Sequence, residues 1–317
     1  MNLHILSSIN PEKFINSSLA SNRLRLQFLY KAALQLGLTV TSGFNTPDHR
    51  CLVYVGKITK ETDEKEIYKT INKLNKNKSV ILVDYTDDWL EATEGKIKKI
   101  YEELMTVEST IIVPIKALES KLNKIGKKTI VIPDAIDNIS KIEPTSHNNR
   151  IKNVLWHGHS SNISSLIRII STTLIDYQFN LHLVSNANAF EIIKKNTFNQ
   201  LPKCNVIAHM WTLEKLQIVS RKSDFAIIPT NKKWASANRL ITTFMLGLPV
   251  IAETISSYEE YSQYYASFNK KQINEMFNSP KNWHSLVKIA QKKITNDFAS
   301  ERLLDLWKNC LKNNNKN

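Results

Sequence analysis

The stretch DFAIIPTNKKWASANRLITTFMLGLPVIAET, Asp224 to Thr254, combines an apolar strand, a polar loop, a helix beginning near Ser236 and a Gly-Leu-Pro turn into a second strand. A helix that starts after a strand offers free backbone N–H groups and the positive end of its dipole, an arrangement suited to a phosphate. Ser236 can cap that helix, Asn238 can donate to a ligand, and Arg239 can form charge-assisted bonds to phosphate oxygens. The plainer reading has Ser236 as a cap and nothing more, with Arg239 in a surface ion pair. A second stretch, VLWHGHSSN (Val154 to Asn162), places Gly158 between two histidines, where the missing side chain lets backbone approach a ligand closely. His159, Ser160 and Ser161 are candidates for contact with a diphosphate or a sugar, or for solvation and capping of the helix that comes next. Histidines two residues apart rarely converge on one ion without further ligands, so no metal is expected.

In the first half, SVILVDYTDDWLEATEG clusters Asp84, Asp87 and Asp88 at the C-terminal end of a predicted strand, where parallel sheets place their ligand contacts. Like charges so close can raise one carboxyl pKa and make a general base for an acceptor hydroxyl, which makes Asp87 and Asp88, with His159, the candidate catalytic residues. The alternative is that Asp87 or Asp88 is the N-cap of the next helix. Arg23 and Arg25 in ASNRLR open the first crossover helix, where they face an anionic ligand or else lie on a solvated surface.

These residues must be positioned by strands and helices. Apolar, β-rich runs alternate with helical patterns: LHILSS, LTVTS, CLVYVG, SVILVDYT, STIIVPI and TIVIPD, then NVLWHG, FNLHLVSN, NVIAHM, DFAIIPT and PVIAET. Such alternation predicts parallel strands joined by crossover helices. Asn22 to Leu36 is predicted as the first of these, with Leu26, Leu29, Ala33 and Leu36 on one face and Gly37 at its end. The polar stretch NISKIEPTSHNNR, Asn138 to Arg150, contains Pro144 and separates two series of strands, as a linker does. The expected organisation is therefore an α/β first domain over 1–140, a second over 150–280, and a C-terminal helix and tail over 281–317, with Trp283, Leu286, Ile289, Leu303, Leu304 and Leu306 as its buried positions.

At 317 residues the chain is long enough for two cores. Its 42% hydrophobic and 23% charged residues are those of a folded globular protein. No apolar run reaches the roughly 18 residues of a membrane span, and MNLHILSSINPEKF lacks the features of a signal peptide, so a cytoplasmic location is expected. Cys51, Cys204 and Cys310 have no metal-ligand spacing and are expected as inert thiols. A formal charge of +14, from 43 Lys and Arg against 29 acids, draws the chain to polyanions, including the anionic inner face of the cytoplasmic membrane, although many lysines fall in Asn/Lys-rich stretches that read as solvated surface. Nucleic acid is disfavoured as a partner, because the aromatics Trp89, Trp156, Trp211 and Trp234 are not interleaved with a basic stripe. There is no Walker A loop, no GxGxxG and no G-x-S-x-G, which argues against nicotinamide and serine-hydrolase chemistry.

Asp224 to Thr254 resembles the donor-binding part of bacterial GT-B glycosyltransferases, in which a strand ending in Pro is followed by Ser-x-Asn-Arg/Lys, a helix and Gly-x-Pro-Val. VLWHGHSSN resembles the first strand and Gly loop of their nucleotide-binding domain, and VIPDAID, Val131 to Asp137, the IPNGID close of their first domain, with Asp134 and Ala135 departing from Asn-Gly. The matches occur in the family's order and cover most of residues 80–260. The resemblance, to the group 1-like, surface-polysaccharide type, implies two Rossmann-like parallel-sheet domains with an interdomain cleft and a C-terminal helical region. It implies a nucleotide-sugar as substrate rather than cofactor, a surface-glycan or lipid-linked acceptor of the capsule or lipopolysaccharide kind, and protein donors in place of a metal. The donor contacts it implies are Gly158, Ser160, Ser161, Ser236, Asn238 and Arg239, with Arg23 and Arg25 on the acceptor side. One position departs: the second acid of the Glu-x7-Glu pair found in many retaining members is Thr242 here. That departure keeps open a GT-B-shaped subunit without activity.

Overall fold

The computed structural model describes residues 2–7, 10–16, 20–58, 62–91, 95–136, 139–147, 149–195, 203–231 and 236–315; Trp234 lies outside them. The chain divides into two units. The first comprises Met1–Asp137 together with Ser236 and Phe298–Asn317, the second Asn138–Lys233 and Ala237–Asp297.

The first unit is a parallel sheet of β1 (Leu3–Leu6), β2 (Val40–Ser42), β3 (Leu52–Val55), β4 (Val80–Asp84), β5 (Ser109–Val113) and β6 (Thr129–Val131), in the order β2-β1-β3-β4-β5-β6. β1 and β3 are buried at every position, the pattern of strands covered on both faces. A π-helical turn, Asn22–Leu26, runs into α1 (Gln27–Gln35), followed by α2 (Glu64–Lys76), α3 (Lys96–Thr106) and α4 (Lys116–Asn123). α2 shows why such segments are helical. The Asp63 side chain accepts from the amides of Lys65 and Glu66, acids occupy the first turn and lysines the last, and Ile67, Ile71 and Leu74 form its buried stripe.

The second unit is a parallel sheet of β7 (Lys152–His157), β8 (Phe179–Ser185), β9 (Cys204–Met210), β10 (Phe225–Ile228), β11 (Val250–Ala252) and β12 (Ala266–Ser267), in the order β12-β11-β10-β7-β8-β9. Its helices are α5 (Ile163–Thr172), α6 (Ala187–Lys195), α7 (Leu213–Ser220), α8 (Asn238–Met245), α9 (Lys270–Asn278) and α10 (His284–Asp297). All eleven expected strands are present. The twelfth, β12, has two residues and is too short to carry a periodic pattern.

Three expectations are corrected. The first crossover is not one uniform α-helix: its opening is the wider π-helical turn, where Asn22 and Arg25 are buried. The stretch 281–317 is divided, α10 belonging to the second unit and α11 (Ser300–Asn315) to the first, where Leu303, Trp307, Cys310 and Leu311 enter the core. Ile289 is exposed, because the buried stripe of α10 is Val287, Ala290, Gln291 and Ile294. The polar Gln291 hides that phase in the sequence. Its Nε2 donates to the carbonyls of Ile142 and Phe244, so a buried amide ties α10 to the linker and to α8.

The Gly-Leu-Pro turn after α8 closes the same junction. Ile142 N–H donates to the Met245 carbonyl, and a Cβ on Gly247 (φ +78°) would lie 2.5 Å from the Ile142 oxygen. Gly126 (φ +75°) has the same conformation with open space around it. Gly126→Ala is therefore expected to cost only the left-handed strain of about 1–2 kcal/mol, and Gly247→Ala clearly more, through the added clash with backbone. Urea titrations of the two variants check this; equal losses would show that the linker yields.

Candidate functional site

In each sheet the strand order reverses at one place, between β1 and β3 in the first and between β7 and β10 in the second. A parallel sheet opens a crevice at the C-terminal ends of the strands there, and both crevices hold residues that the sequence singles out.

In the first unit a cavity of about 130 Å³ lies beyond β1, β3 and β4, lined among others by Leu6, Phe44, Lys57, Ile67 and Asp84. Beside it, Arg25 is 1% exposed. Its Nε donates to both oxygens of Asp84 at 2.9 Å, and its Nη1 to Asp134 Oδ1 at 2.7 Å and to the Ile132 carbonyl at 2.9 Å. Burial acts against the guanidinium's charge, but Asp84 and Asp134 outweigh it and raise its pKa further above the ordinary value. Trp307 of α11 covers the group, with its ring centroid 5.7 Å from the guanidinium carbon. Arg25 is thus neither on a solvated helix face nor open to a ligand: it is enclosed by acids. Arg23 is half-buried and also engaged.

The three aspartates after β4 do not share a proton site, because each has its own cation. Asp84 pairs with Arg25, Asp87 with Lys57 at 2.7 Å, and Asp88 with Lys121 while also accepting from the Tyr85 hydroxyl. Nor does Asp87 or Asp88 cap a helix, since α3 begins at Lys96 with Gly95 in the cap position. The Asp88 side chain is 4% exposed and that of Asp87 18%, so Asp87 is the one with a face left for a ligand.

In the second unit the loop after β7 is anchored to the end of β8. Ser185 Oγ donates to the Gly158 carbonyl at 2.6 Å, and the Ser160 amide donates to Asn186 Oδ1. The Ser160 hydroxyl is buried between the amides of Asn186 and Asn188. His159 Nδ1 accepts from the Ser161 amide, so this exposed histidine caps the short 3-10 turn Ser160–Asn162. Asn186 is the residue here that sequence reading missed; only its place directly after a strand pointed to it.

α8 begins beside this loop. Its cap position is Ala237, with no side-chain cap, because the Ser236 hydroxyl donates instead to Asp134 Oδ2 at 2.7 Å within the first unit. The expectation that Ser236 caps the helix is therefore corrected: a buried carboxylate that already binds Arg25 is the stronger acceptor. The first amides of α8 are left without a capping side chain. Asn238 is half-buried and engaged. Arg239 reaches Gly158: a Cβ built there would stand 3.5 Å from Arg239 Nη1 and 3.2 Å from the Trp156 ring. Nη1 is buried and has no hydrogen-bond partner among the described residues. Tyr258, its hydroxyl pKa raised by burial and opposed by Arg239, packs next to the guanidinium. The structure thus brings Gly158 and Arg239 together. Glu253, the acid at the end of β11, pairs with Arg168, and Thr242 is half-buried. Among the described residues no group of three or more His, Cys, Asp or Glu could hold a metal ion, and no helix is long and apolar enough to cross a membrane.

Beneath Arg239, His157 is buried with Nε2 2.9 Å from Thr243 Oγ1, which in turn donates to the Arg239 carbonyl. Burial, then the Arg239 charge, pushes the imidazole pKa down to about 3. The unfolded chain takes up this proton near the ordinary value of about 6.5. Between the two values the unfolded state holds more protons, so the contribution of His157 is whole above about 6.5 and is lost as pH falls. From pH 7 to pH 5 the protein is expected to lose roughly 2 kcal/mol more stability than His157→Gln, as read by denaturant unfolding at both pH values. Parallel losses would place the proton elsewhere.

No protein-family model and no curated protein matches the sequence. Solved structures do match the fold. HepE of Anabaena in complex with UDP superposes with a TM-score of 0.65 at 11% identity, covering 99% of this chain and 100% of that one. Sucrose-phosphate synthase of Thermosynechococcus elongatus gives 0.67 at 12% identity over 99% of both chains. A glycosyltransferase of Rickettsia africae gives 0.60 at 13% identity over 98% of both. At such identities the likeness is one of fold, and with its two parallel sheets, each flanked by crossover helices, this chain has the GT-B fold of those glycosyltransferases.

Proposed function

We propose that the protein is a glycosyltransferase that moves a sugar from a nucleotide-sugar donor to a surface-glycan or lipid-linked acceptor of the capsule or lipopolysaccharide kind. The observation that carries this reading is the buried, unpartnered Nη1 of Arg239 against Gly158, beside the uncapped start of α8. A buried guanidinium donor without an acceptor is costly, and a diphosphate oxygen would satisfy it while the α8 amides and dipole take up further charge. HepE, whose fold this chain shares, has been solved with UDP and with UDP-glucose, which supports the same ligand class here.

In this reading the departing diphosphate is stabilised by donors fixed before the reaction, and rate comes from positioning and charge stabilisation rather than from a bound metal. Arg239 and the α8 amides hold the phosphates, and the missing side chain of Gly158 lets Arg239 lie close against the loop after β7. His157, kept neutral, supports Arg239 from below through Thr243 and adds no second positive charge. The acceptor is assigned to the first unit, beside the cavity lined by Leu6, Phe44 and Lys57, with Asp87 as the carboxylate able to take a hydroxyl proton. The formal charge of +14 supports salt-sensitive contact with an anionic inner membrane surface. A second reading, a subunit that binds the donor without transferring it, is favoured by Thr242 in the place of the family's acid.

Arg239→Ala is expected to remove about 1.5–3 kcal/mol of charge-assisted bonding, a loss of roughly ten- to a hundredfold in affinity for the preferred nucleoside diphosphate. Calorimetry against a panel of nucleoside diphosphates measures it, with the melting temperature of the unliganded variant as the control for folding. Unchanged affinity would remove Arg239 from the site. Turnover of the nucleotide-sugar, present or absent, separates the enzyme from the inactive subunit.

A further inference from the structure

The second unit carries another cavity, at the opposite end of its sheet. It has a volume of about 330 Å³, at the lower end of the roughly 300–1,000 Å³ typical of small-molecule sites. Lys152 opens β7 and Asp224 immediately precedes β10, so the cavity lies at the N-terminal strand ends. Gly158 lies at the other end of the six-residue β7, on the order of 20 Å away. A small ligand does not reach both places, so the cavity is separate from the proposed donor site and stands independently of it.

Its lining is divided by charge and by depth. Arg150 and Lys281 are exposed at the rim, with Lys152, His147 and His284 half-buried beside them. Neither Arg150 nor Lys281 is paired with an acid among the described residues. Burial, then the neighbouring Lys288 and His147, holds the His284 imidazole below its ordinary pKa. One acid lines the cavity among the described residues, Asp224, and it is 2% exposed. Its Oδ2 accepts from the Asn153 amide at 2.8 Å, while Oδ1 is buried without a partner. A buried carboxylate oxygen without a partner lacks a hydrogen-bond donor, and a fully ionised phosphomonoester carries no proton with which to supply one. A hydroxyl can.

We infer that this cavity binds a phosphorylated sugar as a second, non-donor ligand, with its phosphomonoester between Arg150, Lys152 and Lys281 and its hydroxyls directed inward to Asp224 Oδ1. The dianion suits the cluster of cations at the mouth. The polar walls, Ser146, Asn149 and Ser279, suit a polyol, and among the described residues that line the cavity there is no Phe, Tyr or Trp to stack on a nucleobase. The ligand class is therefore a hexose phosphate rather than a nucleotide.

Calorimetry on the full chain with glucose 6-phosphate, inorganic phosphate and UDP tests the assignment. Glucose 6-phosphate is expected to bind, to bind at least tenfold more tightly than inorganic phosphate, and to weaken at least tenfold in the Arg150→Ala/Lys281→Ala variant while UDP affinity stays as in the wild type. Both positions are exposed, and an unchanged melting temperature of the unliganded variant shows that it is folded. Asp224→Asn, which keeps an acceptor for the Asn153 amide, is expected to erase the preference for the sugar phosphate over phosphate. Lack of binding, or binding that the double variant leaves unchanged, would overturn the site. Equal affinity for inorganic phosphate would overturn its assignment to a sugar. Loss of UDP binding in the double variant would show that the anion sits at the donor site instead.

Discussion

A guanidinium as fully buried as that of Arg25, 1% exposed, requires counter-charge, and the first unit is organised around meeting that requirement at the top of its sheet. Asp84 ends β4, Asp134 comes after β6, and Ile132 supplies a carbonyl; all three converge on one side chain delivered by the π-helical turn before α1. Trp307 of the last helix then covers it, so the closing element of the chain is held by the same group as the opening one. Removing one partner of such a cluster costs about 3–5 kcal/mol, because it leaves an uncompensated charge inside. Asp134 therefore has a structural purpose: it is the second counter-ion of Arg25 and the acceptor for Ser236.

The second unit treats the corresponding end of its sheet in the opposite way. The buried group beneath the crevice is a neutral imidazole, His157, bonded to Thr243. The cation above it, Arg239, keeps Nη1 buried and unpartnered beside a glycine whose missing side chain leaves room. Charge is fully matched within the first crevice and left unmatched in the second. That asymmetry is the physical basis of the proposal that the donor phosphates bind the second unit.

The same contrast between satisfied and unsatisfied groups distinguishes the far cavity from ordinary surface. Most lysines of this basic chain are solvated, as in the Asn/Lys-rich stretches. In the far cavity Lys152 and Lys281 line the same walls as Asp224, one of whose buried carboxylate oxygens has no partner, and that combination is what the proposed ligand, negative at one end and donating at the other, would meet.

Local pattern was enough to determine the strands and their parallel arrangement, because apolar runs of strand length and the helical spacing between them are properties of neighbouring positions. Gly158 and Arg239 were legible for the same reason, each standing at a strand end or helix start. Which charges meet was not. Asp84, Asp87 and Asp88 lie within five positions of one another in sequence, yet their cations come from residues 25, 57 and 121, and Ser236 bonds to an acid about a hundred positions away. Gln291 reads as a surface residue until two carbonyls from distant segments face it. The sign and spacing of side chains along the chain determine what each group can do; only the tertiary packing decides which are matched internally and which, like Arg239 Nη1 and Asp224 Oδ1, are left without a partner, because pairing depends on distance in space and on the water excluded around it.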